Sequence, residues 1–345
     1  MDVFELTRAL VDIESVTLNE EATGNFLYAC LAPLAARYGG TLERVEVEPR
    51  RFNVFAQWGL PNTPGDPLTV TLSTHMDTVP PFCASREDET HIWGRGACDA
   101  KGIIAAMIHA VEGLLKSGER GFGLLFVVGE ERNSAGAYRA SRDGRGSRYI
   151  VNGEPTGNKL ALGSKGALRY EVAATGKMAH SAYPELGDSA IHKLIDALAA
   201  IRAIPLPVDP LLGPSTLNIG TLAGGRAPNV VADEARADVM IRLVGDSAET
   251  KKALAAAVEG RAELREVLEI PALRLNAIPG IETTVVAFTT DIPAYGGQWG
   301  EPFLIGPGSI HLAHTLEERV SKAQLIEAVS IYQRIIRHLC KTASK

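Results

Sequence analysis

Three strand-like runs in the first half of this chain, the first two of them apolar, stop abruptly at ionisable side chains. Residues 68–72 lead into His75 and Asp77, residues 121–128 into Glu130 and Glu131, and residues 145–151 into Glu154. An amphipathic, helix-like segment at 103–115 separates the first run from the second. Strands that alternate with helices build a mostly parallel sheet covered on both faces, and such sheets bind ligands beyond the carboxyl ends of their strands. The pattern therefore predicts His75, Glu130, Glu131 and Glu154 along one edge of one sheet. His75 and Asp77 are two apart on an extended segment, so they point the same way, and Pro80-Pro81 ends the strand. An imidazole beside a carboxylate is the pattern of a metal-bound histidine held by a supporting acid. Taken alone, the pair also suits a solvated polar turn.

A second loop favours the metal reading. Gly94, Gly96 and Gly102 flank Asp99 just before the helix, and glycine permits the backbone angles that force one carboxylate into a fixed place. Glu130 and Glu131 follow an uncharged run, where solitary charge is costly. As neighbours at a strand end they should project to opposite sides, one toward a metal and the other toward a reacting water. Glu154, between Gly153 and Pro155, fits either a turn acid or a ligand. Late in the chain His311 and His314 stand three apart, and either could ligate.

The chain's 345 residues suit two domains. Helices are expected at 4–13 and 23–38, strands at 41–47 and 53–58, and a loop at 61–67. From about 165 the pattern changes to strand 167–174, helix 189–204, strands 215–222 and 231–244, helix 248–259 and strand 267–275. That order is the split βαβ sandwich. The chain then returns with strand 283–288, a Gly-rich loop at 296–309 and a helix at 322–340. The expected fold is thus α/β: a catalytic domain of residues 1–164 and 276–345, its mostly parallel sheet sandwiched by helices. Residues 165–275 form an inserted α+β, ferredoxin-like dimerisation or lid domain. A net charge of −6 without basic–aromatic runs argues against nucleic acid. No apolar run approaches the ~18 residues of a membrane span. Four cysteines without CxxC spacing and an N-terminus without signal-peptide character point to the cytoplasm.

Five segments in register, STHMDTVP, GRGACDAKG, VVGEE, NGEPTG and GPGSIHLAHTLEE, resemble the dinuclear zinc family of acetylornithine deacetylase, succinyl-diaminopimelate desuccinylase and related aminoacylases and carboxypeptidases. The resemblance covers nearly the whole chain, inserted domain included. It implies two Zn²⁺ ions, for which Co²⁺ can substitute. His75 and Glu154 would hold one, Glu131 and His314 the other, and Asp99 would bridge them. His314 is preferred to His311 because the family's Ala-His pair, followed three residues later by an acid, falls on Ala313-His314 and Glu317. Glu130 becomes the general base, taking a proton from water and delivering it to the leaving amine, and Asp77 orients His75. His180 matches the family's oxyanion donor, supplied by the partner subunit of a homodimer. Asn229 and Arg242 match positions that meet the substrate carboxylate. The implied substrate is a small N-acyl-L-amino acid, with N-acetyl-L-ornithine as the leading candidate. N-succinyl-diaminopimelate, an acyl-citrulline, a carrier-linked amino acid and a dipeptide are the alternatives.

Other chemistries fit less well. No serine has glycine two before and two after it, so the nucleophile elbow is missing, and HExxH is absent. A binding protein that has lost its site would lack ligands, and all five are present.

Overall fold

The first apolar run forms the strand Leu68–His75 near the middle of a six-stranded sheet. This computed structural model describes residues 1–59 and 68–343; the loop expected at 61–67 lies outside them. The sheet order is Thr41–Glu48, Arg51–Trp58, Phe122–Val127, Leu68–His75, Ser147–Asn152, Glu301–Leu304. The last four strands run parallel, whereas the first two form an antiparallel ribbon along one side. His75 stands opposite Val127 in the register, and Ser73 opposite Asn152. The carboxyl ends of three strands therefore arrive at one edge, and the loops bearing Asp77, Glu130, Glu131 and Glu154 leave from it.

Both faces of this sheet are covered, as a parallel sheet requires. Val54, Val70, Leu72, Leu124, Phe126 and Val151 pack with Leu27, Leu31, Ile104, Met107, Ile335 and Leu339 from three helices. The alternate residues Phe55, Leu125, Val127 and Ile150 pack with Ala137, Tyr295 and Trp299 on the other side. The helix Gly102–Lys116 buries eleven of its fifteen residues, more than an amphipathic surface helix would, because it packs on the sheet beside the helix Lys322–Ala343 and against the helix Val3–Val11.

The chain divides into two compact units. One comprises residues 1–162, 275–284 and 290–345; the other comprises 163–274 and 285–289. In the second unit four antiparallel strands lie in the order Thr216–Gly224, Glu234–Leu243, Gly166–Thr175, Glu263–Ile270. Leu168, Tyr170, Val172, Val239 and Ile241 bury one sheet face under the helices Ala190–Arg202 and Ser247–Val258 through Leu194, Leu198, Ile201 and Leu254. This is the split βαβ order. The last strand, expected at 267–275, lies at Glu263–Ile270 instead. Its sequence ELREVLEI loses apolar alternation at a bulge between Glu266 and Leu268; it is an edge strand, paired among the described residues to 167–173 alone, with most of its side chains exposed. Among the described residues no helix is long and apolar enough to cross a membrane.

Candidate metal centre

At the sheet's carboxyl edge two imidazoles face one carboxylate. His75 is the last residue of its strand and is 1% exposed. Its Nε2 lies 3.0 Å from Asp99 Oδ1, while His314 Nε2 lies 3.5 Å from Asp99 Oδ2 and 2.9 Å from Glu131 Oε1. The two oxygens of Asp99 are thus turned toward different histidines, the disposition a bridging carboxylate needs. Ligand atoms of His75, Asp99 and Glu131 all fall within 4.8 Å of one another. His75 Nδ1 is 3.0 Å from the carbonyl oxygen of Asp77. An Nδ1–H bonded there leaves Nε2 as the free lone pair, which is how a backbone acceptor fixes a metal-binding tautomer. The loop before Asp99 turns through Gly96 at φ +86°, where a Cβ would lie 2.9 Å from the side chains of Lys101 and Thr78.

Glu130 and Glu131 reach the site by a route the strand pattern does not anticipate. The strand stops at Val127, and a turn opened by Gly129 at φ +83° carries both glutamates. Strand pleating therefore does not separate them. The carboxylate of Asp77 shapes the turn: Oδ1 accepts the amides of Gly129 (3.0 Å) and Glu130 (3.1 Å), and Oδ2 accepts that of Glu131 (3.2 Å) and the Thr17 hydroxyl (2.8 Å). The same carboxylate is 3.6 Å from His75 Nδ1, farther than the Asp77 carbonyl.

The electrostatics ask for cations. Burial, with the neighbouring Glu154 charge, pushes the Glu130 carboxyl well above its ordinary range. Burial, with Asp99, does the same to Glu154. Burial also raises Glu131, against the opposing pull of His314. Asp291, 2% exposed, is pushed up to about 7 by burial, and its Oδ1 has no hydrogen-bond partner among the described residues. Burial opposes charge on His75, but Asp77 and Asp99 outweigh it and raise the imidazole well above its usual value. Glu131 raises His314. A buried set of carboxylates balanced by two imidazoles is stable when protons fill it, and equally when divalent ions replace those protons. Nitrogen and carboxylate donors of this kind suit zinc, so His75, Asp99, Glu131, Glu154 and His314 fit a metal pair.

His311 is exposed. His180, Asn229 and Arg242 lie in the second unit. His180 is exposed, and its Nδ1 accepts the amide of Ala182 at 3.1 Å; the exposed Asn229 accepts the amide of Ser181 at 3.0 Å through its backbone. Arg242 is partly buried, which lowers its pKa, and among the described residues it has no ion-pair partner.

Three residues near the site carry no sign of it in the sequence. Asp291 has no charged neighbour within several positions to mark it. Arg95 and Glu318 form a buried ion pair, Nη1 to Oε2 at 2.5 Å, with both side chains 2% exposed. Glu317, the acid that fits the family pattern, is 69% exposed at its side chain and lies 3.9 Å from Arg86. The adjacent pair gives no local sign of which glutamate turns inward.

A family model described as peptidase family M20/M25/M40 matches residues 71–338. A peptidase M20 domain-containing protein of Schizosaccharomyces pombe is 38% identical over 343 residues, covering 97% of this chain and 84% of that protein. A probable carboxypeptidase of Emericella nidulans is 36% identical, covering 96% of this chain and 88% of its own length. The fold is similar to that of aminopeptidase PepT from Bacillus cereus, with a TM-score of 0.79 at 19% identity over 98% of both chains. It is also similar to the Bacillus subtilis YXEP protein, a dinuclear metal-binding peptidase, with a TM-score of 0.69 at 15% identity over 97% and 98%.

Proposed function

The chain belongs to peptidase family M20/M25/M40, and from that premise we propose that it is a dinuclear metal-dependent hydrolase. Its target would be the amide bond on the nitrogen of an L-amino acid whose carboxylate is free. The observation that carries the reading is Asp99 with one oxygen toward His75 and the other toward His314, with Glu131 on the same His314 nitrogen and a buried Glu154 that feels the Asp99 charge. Two divalent ions held there, zinc by preference, would polarise the amide carbonyl and acidify an attacking water. Glu130 takes the water's proton and delivers it to the leaving nitrogen. Asp77 holds the turn on which Glu130 and Glu131 sit.

Arg242, without an acidic partner among the described residues, is the residue we assign to the substrate carboxylate, since a guanidinium matches it in two-pronged fashion. Asn229 would assist. His180 would supply a hydrogen bond to the developing oxyanion, from the partner subunit of a homodimer joined through the second unit. Within the class, N-acetyl-L-ornithine remains the candidate favoured by the GPGSI segment. The relatives named carboxypeptidase favour a peptide or acyl group on a C-terminal amino acid.

A hydrolysis panel decides. Chelated protein is reloaded with Zn²⁺ or Co²⁺ and offered N-acetyl-L-ornithine, N-succinyl-diaminopimelate, N-acyl derivatives of apolar amino acids and dipeptides, each as free acid and as amide. Free acids should exceed amides by at least about tenfold in kcat/KM, the value of one charged hydrogen bond of ~1.5–3 kcal/mol. Equal rates on acid and amide would remove the carboxylate clamp, and inertness toward every acid would remove the proposal.

A further inference from the structure

Glu318 is an acid without a role in the chemistry above, yet its surroundings are specific. Its Oε1 accepts three backbone amides from one loop: Gly96 at 2.9 Å, Asp99 at 3.2 Å and Cys98 at 3.3 Å. Its Oε2 takes Arg95 Nη1, and its own carbonyl accepts the amide of Gly94 at 3.0 Å. Arg95 reaches further: its Nε donates to the carbonyl of Pro81 at 3.2 Å and its amide to the carbonyl of Cys83 at 3.0 Å. Pro81 belongs to the segment that follows His75 and Asp77, the three amides belong to the Asp99 loop, and Glu318 stands four residues after His314. One buried ion pair therefore ties together the three segments that carry His75, Asp99 and His314.

A carboxylate is the group this place requires. Successive backbone N–H groups converge on Oε1 as on a bound anion, while Oε2 faces a guanidinium that only donates. A side-chain amide has one acceptor end and one donor end. Turned either way, it sets its own N–H against another donor, either the three amides or Arg95. The site thus discriminates between two side chains of equal size.

We propose that Glu318, backed by Arg95, is a positioning residue that holds the Asp99 loop in the shape that lets Asp99 span two metal ions. The inference rests on the metal reading of Asp99 given above. It also makes a claim about the metal-free protein, so the two can fail separately.

The test begins with Glu318→Gln. In the metal-free protein, hydrogen exchange at the amides of Gly96, Cys98 and Asp99 should accelerate at least about tenfold over wild type, with the helix Gly102–Lys116 unaffected. Zn²⁺ affinity, measured by competition with a chromogenic chelator, should fall about 10–100-fold for at least one equivalent, the usual effect of losing a group that orients a ligand. The visible spectrum of the Co²⁺ form should shift as the ligand field around Asp99 changes. Arg95→Met should also weaken metal, because it leaves Glu318 Oε2 without its guanidinium partner. The double variant should bind metal better than the sum of the two losses predicts, because the introduced side-chain amide no longer confronts a guanidinium.

Unchanged exchange at the three amides with both metal equivalents within about threefold of wild type would overturn the proposal, as would strictly additive losses. If Glu318→Gln does not fold by circular dichroism, Arg95→Lys decides: exchange rising only at the three amides supports the role, and a uniform rise along the chain overturns it. A wild-type protein that binds no metal would defeat the reading of Asp99 and leave the exchange result to judge the loop.

Discussion

Replacing Asp77 with asparagine tests what its carboxylate does. In the protein its two oxygens accept four hydrogen bonds, three from the amides of Gly129, Glu130 and Glu131 and one from Thr17. Burial works against its ionisation, but His75, Thr17 and the Glu130 amide hold it below the ordinary aspartate range. An asparagine does best with its oxygen toward Gly129 and Glu130 and its nitrogen toward Thr17, whose hydroxyl can reverse. The Glu131 amide then meets another donor, and a buried unpaired donor costs ~1–3 kcal/mol. Two charged hydrogen bonds also become neutral, at roughly 0.5–1.5 kcal/mol each. Relief of repulsion with the nearby acids offsets part of this. The expected loss is about 2–4 kcal/mol, or roughly 3–8 °C in the Tm of the metal-free protein. Because Glu131 rides on the same turn, its metal should weaken about 10–100-fold. Calorimetry of chelated protein and a two-equivalent metal titration measure both. Thr17→Val, which removes one hydrogen bond, serves as the control, with about 1 kcal/mol lost and metal affinity kept. A metal-free Tm within about 2 °C of wild type, with weakening confined to the ion on His75, would show that the carboxylate serves the imidazole and not the turn.

Other substitutions and conditions probe the remaining roles. Glu130→Gln should retain both metals and lose about 10²–10⁴-fold in turnover; near-normal turnover would mean that another group moves the proton. Metal binding near neutral pH should release protons, because His75 and His314 carry raised values and Glu130, Glu131 and Glu154 are pushed upward; titration calorimetry showing no dependence on buffer ionisation enthalpy would contradict this. For the same reason the metal-free protein should lose stability as pH rises from about 4 through neutrality. Over that range the folded chain holds protons on Asp291 (raised to about 7) and its neighbours that the unfolded chain has released, so a metal-free Tm rising toward pH 8 would refute the sign. Mixing His180→Ala with Glu130→Gln protein should restore partial activity, since one site of each heterodimer keeps both residues. No recovery despite demonstrated subunit exchange would argue against a shared site.

The residues that sequence reasoning locates are those whose chemistry conflicts with their neighbourhood. A histidine or glutamate at the end of an apolar run stands out because burial there is expensive, and His75 and Glu130 are legible for that reason; Glu154, after a run with two arginines, is marked only by the family resemblance. The split βαβ order is legible because alternation in Ala167–Ala174 and Ala235–Leu243 marks half-buried strands. Edge strand Glu263–Ile270 lacks that signal, and the apolar pattern points too late in the chain. Asp291, Arg95 and Glu318 are invisible because their partners lie far off in the chain, Glu318 more than 210 residues from the amides it accepts. A local pattern cannot report a hydrogen bond closed by the whole fold.

The second unit's main segment, 163–274, is threaded between Glu154 and His314, which sets an order of events on the ribosome. At roughly 5–20 residues per second, the 160 positions separating those two residues emerge over about 8–32 s. For nearly all of that interval the sheet lacks its last strand, Glu301–Leu304, so Ser147–Asn152 presents an open edge carrying Tyr149, Ile150 and Val151 of the kind that recruits other strands. The carboxylates wait as well, with His314 and the Arg95–Glu318 clasp still to come. The inserted unit has most of its sequence in hand by residue 274 and can fold first. Cellular metal would therefore meet a finished centre only once His314 and Glu318 have emerged, and the nascent chain's exposure to mispairing is greatest just before.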